Sequence, residues 1–490
     1  MNKKFLLIAI IFISSFIAYS QTQNSLSKDS WVVERTVSNN RKSDGGFSKA
    51  IVRFNDRSIA VCTRYSKGDC GVVKINAEGK ILWEAPVKGF VIALSKMDDR
   101  IIAFYSPEWK NVFDEHVIKK IYAVSISAEK GTIIEEKEIF SNATENFIDV
   151  KINTNPDETL SHLLVRYTDY KGNRFLSVNT KYSNLRATNN LELISVNKDL
   201  SVSVQKLNSG SIGGAFLTCT TMQDGCVVVI SENEGTLIAE KFRQANPAPV
   251  SKITTNANFI NRGDIDAYLC ADLKDQDKLY LSFHCRELKQ GKVLKVFGID
   301  WKAQKIFTNK IGLDKDFKEL LEQQNGKLSK GIRKHTDDIY PIGLLSSGDK
   351  IVLINQVYYW NLPTKGAMVH FFEDIVLSVF NKQLENESNI VLPREIMTQY
   401  SRGQGVGAEI IGNKLYIMHS DFGGADFSEV NLSSFKVEKT YTVSRNIMPG
   451  EKEYIPGDAL LWYYGDVLRP YYSGKDISKS WVDMMLKIIE

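Results

Sequence analysis

Val73-Lys74-Ile75-Asn76 is the first copy of a phrase that recurs along this 490-residue chain: an apolar strand ends in a small polar residue, and a turn follows. Six further copies follow at closing-residue spacings of 51, 52, 52, 69, 81 and 50 positions: Val124-Ser125-Ile126-Ser127, Leu176-Ser177-Val178-Asn179, Val228-Val229-Ile230-Ser231, Phe297-Gly298-Ile299-Asp300, Ser378-Val379-Phe380-Asn381 and Ser428-Glu429-Val430-Asn431. The longest gap contains a helix-like insertion, with Asp314 as N-cap and Phe317, Leu320 and Leu321 on one face.

A second landmark lies upstream in each unit, where a turn opens an alternating strand such as Lys278-Leu279-Tyr280-Leu281-Ser282-Phe283. Only the fourth unit, at Gly213-Gly214, lacks a clear copy. The others are Asn55-Asp56-Arg57, Asp98-Asp99-Arg100, Pro156-Asp157-Glu158, Asp275-Gln276-Asp277-Lys278, Gly348-Asp349-Lys350 and Gly412-Asn413-Lys414. A period of two is typical of strands, so each unit holds about four antiparallel strands, a to d.

Four-stranded units repeating every 40 to 50 residues indicate an all-β chain folded as a β-propeller of about seven four-stranded blades. The alternative is two or three unrelated β-sandwiches that share ordinary hairpins, and the spacing of the first copies argues against it. A blade cannot bury both of its faces alone. We therefore expect neighbouring blades to stack around one axis.

The two ends of the chain leave the number of blades open. Residues 31–37 resemble a lone outer strand, and together with residues 459–464 they could complete an eighth blade. Trp481, Met484, Met485 and Ile488 recur at helical spacing, which predicts a short C-terminal helix. The predicted organisation is a signal peptide at 1–20, an N-terminal extension with an outer strand at 21–45, the propeller at 46–443, and a closing segment with the helix at 444–490.

The first 20 residues predict export. Lys3 and Lys4 precede an apolar run, and Ala18-Tyr19-Ser20 supplies small residues for cleavage. A transmembrane anchor is the alternative, but the run is shorter than the roughly 20 residues that a span requires. We expect the mature protein in the periplasm, at the cell surface or outside the cell, with no transmembrane segment.

Charge excludes one class of partner. Without the two lysines of the signal peptide, 62 minus 2 leaves 60 basic residues against 58 acidic residues. A net charge near +2 gives no electrostatic footprint for nucleic acid.

Glu78-Gly79-Lys80-Ile81-Leu82-Trp83-Glu84, and more weakly Lys130-Gly131-Thr132-Ile133-Ile134-Glu135, resemble the outer-strand repeat of the quinoprotein-like (PQQ/WD-type) β-propeller superfamily. The resemblance covers one or two blades, because later units lack the Gly-x-x-x-Trp pattern. It implies the fold, and it transfers neither a quinone site nor a catalytic residue.

Six cysteines in an exported chain suggest disulfides. The pairs Cys62-Cys70 and Cys219-Cys226 each flank what the repeat places as a b-to-c link, which predicts two equivalent bridges. Cys270 and Cys285 are paired mainly by elimination. Metal ligation is the alternative, but no CxxC spacing supports it, and we predict no metal site.

The b-to-c and d-to-a links of an antiparallel blade emerge on one face of a propeller, and loops on a rigid scaffold are where function usually lies. Aromatic rings recur in the b-to-c links. They suit a protein or glycan surface; alternatively, they fold back as plugs over the blade ends. The predicted ligand-binding residues are Trp109, Tyr170, Tyr359, Trp360, His419 and Asp421.

No catalytic motif accompanies these rings, so the first hypothesis is an exported, non-catalytic recognition or scaffolding propeller for a protein or glycan. The alternative is a propeller hydrolase or lyase acting on carbohydrate, using two carboxylates at the rim. Candidate rim groups are Asp114, Glu115, His116, Asp169, Glu287, His419, Asp421 and Asp426. No cofactor is predicted. Calcium is considered only for the acidic loop from Asp421 to Asp426, which matches no EF-hand spacing.

Overall fold

The structure, a computed structural model, describes residues 31–37, 51–64, 70–76, 81–107, 110–112, 115–117, 120–142, 147–154, 158–168, 188–257, 267–272, 275–287, 291–361, 369–398, 406–421, 424–444, 454–464, 467–476 and 481–488. These residues form eight four-stranded antiparallel sheets and one small hairpin. We number the sheets as blades 1 to 8 in chain order. Within each blade, strands a, b, c and d are the four strands of its sheet in the order in which they are named below.

Blades 1 to 4 are formed by residues 51–256. Blade 1 comprises β2 (Ile51–Arg53), β3 (Ile59–Arg64), β4 (Cys70–Ile75) and β5 (Ile81–Val87). Blade 2 comprises β6 (Phe90–Met97), β7 (Arg100–Ser106), β10 (Lys120–Ser127) and β11 (Ile133–Ser141), with the hairpin β8 (Lys110–Val112) and β9 (Glu115–Val117) between its strands b and c. Blade 3 comprises β12 (Phe147–Thr154), β13 (Leu160–Thr168), β14 (Thr188–Asn197) and β15 (Val202–Lys206). Blade 4 comprises β16 (Ala215–Thr221), β17 (Val227–Asn233), β18 (Thr236–Phe242) and β19 (Ser251–Asn256).

Blades 5 to 8 are formed by residues 267–488 together with the N-terminal strand at residues 31–37. Blade 5 comprises β20 (Ala267–Ala271), β21 (Lys278–Glu287), β22 (Gly291–Asp300) and β23 (Lys305–Gly312). Blade 6 comprises β24 (Ile339–Ser346), β25 (Lys350–Asn361), β26 (Val369–Asn381) and β27 (Asn386–Thr398). Blade 7 comprises β28 (Val406–Ile411), β29 (Lys414–Asp421), β30 (Gly424–Asn431) and β31 (Lys436–Ser444). Blade 8 comprises β32 (Tyr454–Tyr464), β33 (Val467–Asp476), β34 (Trp481–Ile488) and β1 (Trp31–Val37).

The propeller fold is confirmed, and its eighth blade joins the two ends of the chain. Strand β1 pairs antiparallel with β34 from Trp31 opposite Ile488 to Val37 opposite Val482. The outermost strand of the last blade therefore comes from the N-terminal segment. The predicted C-terminal helix is wrong: residues 481–488 form β34, which pairs on its other side with β33. Two ladders satisfy the backbone of this segment, and that tertiary pairing overrides its helical spacing of apolar residues.

Neighbouring blades share their hydrophobic cores, as stacked blades require. Buried side chains form one cluster between blades 1 and 2, and further clusters at each following junction up to blades 6 and 7. Apolar residues project from both faces of the middle strands; in β21, for example, Leu281 and Phe283 face blade 4 while Tyr280 faces blade 6. Burial on both faces explains the near-continuous apolar runs in the sequence.

The repeat register is correct in five of the seven predicted copies. The phrases ending at Asn76, Ser127, Asp300, Asn381 and Asn431 close strand c of blades 1, 2, 5, 6 and 7. The third copy lies outside the described residues. The fourth is wrong, because Val228-Val229-Ile230-Ser231 belongs to strand b of blade 4. Strands b and c are both buried apolar runs, so local pattern does not distinguish them.

The turn landmarks and the helical insertion are confirmed. Five of the six acidic or glycine turns join strands a and b, and residues 156 and 157 of the sixth lie outside the described residues. The missing turn of blade 4 lies at Asp224-Gly225. Between β23 and β24 the chain forms helix α1 (Lys315–Asn325) and helix α2 (Lys330–His335), followed by a 3-10 turn, Thr336–Asp338. Asp314 caps α1 by accepting from the Phe317 N–H, and Phe317 and Leu321 are buried, as predicted.

The segments that carry the superfamily resemblance contact each other in the fold. The Trp83 ring of blade 1 covers Gly131, in the c-to-d turn of blade 2, and its Nε1 donates to the Ala128 carbonyl at 3.3 Å. Gly131 has φ of 69°, and an added Cβ would lie 2.5 Å from the ring. The contact between Trp83 and Gly131 therefore joins blade 1 to blade 2.

The cysteines correct part of the sequence interpretation. All six lie in the described residues, and all but Cys270 are buried. Cys219 is opposite Val229, three residues from Cys226, and Cys270 is opposite Tyr280, five residues from Cys285. Because side chains alternate between the faces of a sheet, these odd offsets put the members of each pair on opposite faces, and both pairings are wrong.

Cys62 and Cys70 differ from the other two pairs. Cys62 is opposite Val72, two residues from Cys70, so the two side chains share one face and one core cluster. Burial raises the pKa of the Cys62 thiol, and the neighbouring Cys70 contributes. This pairing stays a prediction. It spans the b-to-c link, whereas Cys219 and Cys226 flank an a-to-b turn, so the two sites are not equivalent.

Within the described residues, no helix combines the length and the apolar character that a membrane span requires.

Candidate functional site

Blade 6 extends further than its neighbour on the face that carries the b-to-c links. Strands β25 and β26 contain 12 and 13 residues, whereas the corresponding strands of blade 7 contain 8 each. At about 3.3 Å per residue, the extra four residues carry the hairpin roughly 13 Å further. Tyr359 and Trp360 lie at this end of β25.

A row of rings stabilises the extended hairpin. Tyr359, Phe371 and Met397 are opposite one another across three strands, so they share one face. The rings of Tyr359 and Phe371 stack at 4.8 Å between centroids. His335, the last residue of α2, stacks on Tyr359 at 3.7 Å. Helix α2 thus packs against the first ring of the row.

Two large apolar side chains are exposed at this end of blade 6, one on β25 and one on β27. Trp360 is 56% exposed and Met397 is 50% exposed. We call Tyr359, Trp360, Phe371 and Met397 the blade 6 ledge. Exposed side chains of this size are costly to leave in water, and they are enriched at protein interfaces.

A carboxylate lies beneath the ledge, in a space that only glycine permits. The Tyr359 hydroxyl donates to Glu373 Oε1 at 2.6 Å. Glu373 Oε2 occupies the position that a side chain at Gly331 of α2 would fill. Burial raises the pKa of the Tyr359 phenol, and the Glu373 carboxylate adds to that rise. Gly331, Glu373 and Tyr359 therefore fix the approach of α2 to the sheet.

Asp374 anchors the same helix from the other side of the strand. Its side chain is buried, its Oδ1 accepts from the Arg394 N–H at 3.1 Å, and its Oδ2 accepts from the Ser329 hydroxyl. Ser329 Oγ in turn accepts from the Ile332 N–H at 3.2 Å and caps α2. Burial raises the pKa of Asp374 to about 6, against the two hydrogen bonds, which lower it.

This raised pKa predicts a pH dependence of stability. A carboxyl whose folded-state pKa exceeds its unfolded value of 3.8 stabilises the fold below pH 4, and that contribution disappears as the pH rises through 6. Between pH 4 and pH 7 the free energy of unfolding of the wild type is expected to fall by about 2–3 kcal/mol relative to Asp374→Asn. Chemical denaturation of both proteins across this range measures the difference.

Asp349→Asn supplies the control, because this aspartate lies in an exposed turn of the same blade with 70% of its side chain accessible. It is expected to keep the wild-type pH profile. Identical profiles for the wild type and Asp374→Asn would show that the Asp374 carboxyl does not couple to folding in this way.

The structure separates the six predicted ligand-binding residues. Tyr359 packs as a plug against His335 and Phe371, as the alternative interpretation expected, whereas Trp360 is exposed. His419 is only 1% exposed and lies opposite Asp426 inside blade 7, so it is not at the surface. Asp421 is the last residue of β29, and its side chain is not among those that the structure describes. Trp109 and Tyr170 lie outside the described residues, as do residues 422 and 423 of the loop considered for calcium.

Of the predicted rim acids, Glu287 forms ion pairs with two lysines: its oxygens lie 2.6 Å from Lys295 Nζ and 2.8 Å from Lys310 Nζ.

Sequence analysis did not identify three residues that shape the ledge: His335, Gly331 and Glu373. The helical insertion was visible in the sequence, but the strand on which it packs was not. A glycine inside a short helix was the one local signal of close approach.

No protein-family model and no curated protein sequence matches this chain. Several solved structures have a similar fold. The Dos1 propeller shares 11% identity at a TM-score of 0.46, covering 94% of each chain. BamB from Moraxella catarrhalis shares 13% at 0.41, covering 93% of this chain and 100% of its own. The dihydro-heme d1 dehydrogenase NirN shares 11% at 0.42, covering 96% and 81%. These similarities are distant, and the assignment of the propeller fold rests on the sheet topology of the chain itself.

Proposed function

We propose that this protein is exported and acts as a non-catalytic recognition propeller that binds a protein partner through the blade 6 ledge. The observation that carries the proposal is the exposure of Trp360 and Met397 at the extended end of blade 6, where the rings of His335, Tyr359 and Phe371 stack on one another. Ordering a surface before binding reduces the entropic cost of association.

The shape of the ledge favours a protein over a glycan. Trp360 and Met397 project from opposite faces of the protruding end of blade 6, since Trp360 is opposite His370 while Met397 is opposite Phe371. Small-molecule sites are concave. A convex apolar end suits a groove on a second protein, with Trp360 as the central contact.

The hydrolase or lyase alternative requires two carboxylates that face one open volume. At the ledge, Glu373 and Asp374 are adjacent, and the Glu373 charge contributes to the raised pKa of Asp374. Asp374, however, is only 1% exposed, and both of its oxygens accept hydrogen bonds from the protein. This geometry supports a structural role for Asp374, and we therefore place recognition first.

The test compares partner binding by Trp360→Ala, Met397→Ala and the wild type. A partner retained from an envelope fraction is identified and purified, and its Kd is measured with each variant. Loss of a central interface tryptophan costs about 2 kcal/mol or more, so Trp360→Ala is expected to weaken binding at least 30-fold. Its thermal unfolding is expected to be nearly unchanged, because the ring is exposed.

Val437→Ala is the matched control, since Val437 is also exposed apolar surface but lies on the outer strand of blade 7. It is expected to bind as the wild type does. A Trp360→Ala protein that retains full affinity would remove the ledge from the interface. A large loss of stability in that variant would show that the ring is a packing element.

A further inference from the structure

A cavity of about 890 Å³ opens on the face opposite the ledge, where the a-to-b and c-to-d turns emerge. Its volume lies within the range of small-molecule sites, about 300–1,000 Å³. Three consecutive blades form its wall. Blade 1 contributes Phe54, Asn55 and Asp56; blade 2 contributes Lys96 and Asp98; blade 3 contributes Glu158, Thr159, Asn197, Lys198 and Asp199.

Ion pairs between blades hold this wall in place. Lys96 of blade 2 binds Glu158 of blade 3 at 2.5 Å, and Lys198 of blade 3 binds Asp98 of blade 2 at 2.9 Å. Each pair thus brings an ammonium and a carboxylate of neighbouring blades together at the cavity, and each pair remains open to solvent on one side. A site whose polar groups are held by the scaffold binds at a lower cost in ordering.

Blade 1 completes the wall in the same manner. Lys74 Nζ lies 3.3 Å from Asp56 Oδ2 and donates to the Ala128 carbonyl of blade 2 at 3.1 Å. The same ammonium lies 4.3 Å from the centroid of the Phe54 ring. Phe54 supplies the apolar part of the lining.

The pairing of these charges decides what kind of ligand fits. Lys96, Lys198 and Lys74 each face a carboxylate, and the fourth carboxylate, Asp199, accepts from the Ser201 N–H at 3.1 Å. Three lysines thus balance three of the four carboxylates, which leaves the wall a net charge of only −1. The carboxylates are still accessible: 58% of the Asp56 side chain is exposed, 73% of that of Asp98 and 42% of that of Glu158. A carboxylate offers about four acceptor sites and an ammonium three donors, so a single ion pair leaves most of them for a ligand.

We propose that this cavity binds a neutral carbohydrate. Each sugar hydroxyl both donates and accepts, which matches a wall in which acceptors alternate with ammonium donors. A neutral ligand also leaves the Lys96–Glu158 and Lys198–Asp98 pairs intact, whereas a charged ligand would compete with one partner of each. The site lies on the face opposite the blade 6 ledge and does not depend on the function proposed for it.

The test is calorimetric titration of the full mature chain with neutral oligosaccharides. The panel comprises maltotetraose, cellotetraose, mannotetraose and chitotetraose, with spermidine and citrate as charged probes. At least one neutral oligosaccharide is expected to bind saturably at one site, and the charged probes are not. Binding of a charged probe alone, or no saturable binding by any sugar in the panel, overturns the proposal.

Variants place the binding in the cavity. Thr159→Trp fills the cavity while keeping both ion pairs and is expected to abolish binding. Asp98→Asn and Glu158→Gln keep side-chain size but break one pair each, and they are expected to weaken binding at least tenfold. Asp349→Asn, in the equivalent turn of blade 6, is the matched control and is expected to bind as the wild type does. Equal affinity of Thr159→Trp and the wild type would assign the sugar to another site and overturn the proposal. Thermal unfolding of each variant confirms that it is folded.

Discussion

Gly131→Ala is expected to lower the free energy of unfolding by about 2–5 kcal/mol. Two costs add. The residue has φ of 69°, a left-handed conformation that costs an L-residue about 1–2 kcal/mol. Its new Cβ would also lie 2.5 Å from the Trp83 ring, and overpacking of this kind costs about 1–3 kcal/mol. Chemical denaturation followed by circular dichroism measures the loss.

Gly291→Ala separates the two costs. Gly291 has φ of 73°, but no atom lies within 4 Å of the Cβ that the substitution adds. It is expected to show only the conformational cost. The difference between the two variants then reports the contact with Trp83.

A double-mutant cycle with Trp83→Ala checks the assignment, because the overlap cost disappears when the ring is absent. Equal losses for Gly131→Ala and Gly291→Ala would contradict an overlap with the ring at this junction between blades 1 and 2.

Phe283→Ala is expected to destabilise the protein by about 3–5 kcal/mol. Phe283 lies in the middle strand β21, is fully buried, and stacks on Phe297 with 5.2 Å between ring centroids. Both rings belong to the core between blades 4 and 5. Truncation removes the ring contacts and leaves a cavity that the stacked sheets cannot fill without shifting. Urea denaturation of the purified variant measures the effect.

Two control variants, Phe283→Leu and Ile134→Ala, are expected to lose less stability than Phe283→Ala. Leucine keeps most of the volume and is expected to cost clearly less than alanine. Ile134 is 49% exposed on the outer strand of blade 2, so its truncation is expected to change stability by no more than about 0.5 kcal/mol. A Phe283→Ala protein as stable as Ile134→Ala would show that the blade 4–5 core contributes little to stability.

The fold was accessible from sequence because it depends on local periodicity. Alternation in stretches such as 278–283 identifies strands, and turns such as Asp98-Asp99 mark the a-to-b hairpins in five blades of the described part of the chain. Errors arose where strand identity depends on partners. Val228-Val229-Ile230-Ser231 fits strand b as well as strand c, and residues 481–488 have helical spacing but pair as a strand.

The sites were less accessible. Spacing in the sequence placed Cys219 near Cys226, but the ladder offset puts the two side chains on opposite faces of the sheet. Tyr359 and Trp360 are adjacent in sequence, yet one packs under α2 and the other faces solvent. Nothing local to β25 indicates that α2 covers one of its faces, because the helix precedes the blade and its position is set by Glu373 and Asp374.

The repeated phrase that begins at Val73-Lys74-Ile75-Asn76 determined by itself that the chain is a propeller, since periodicity and turn chemistry are properties of neighbouring residues. It also placed acids in a-to-b turns, whereas Tyr359 and Trp360, which the repeat assigned to a b-to-c link, belong to strand β25. Tertiary structure decided which rings are buried, which thiols share a face, and that the turns of blades 1 to 3 enclose a cavity. Those properties depend on contacts between segments distant in sequence, such as Lys198 with Asp98, which become neighbours only when the blades stack.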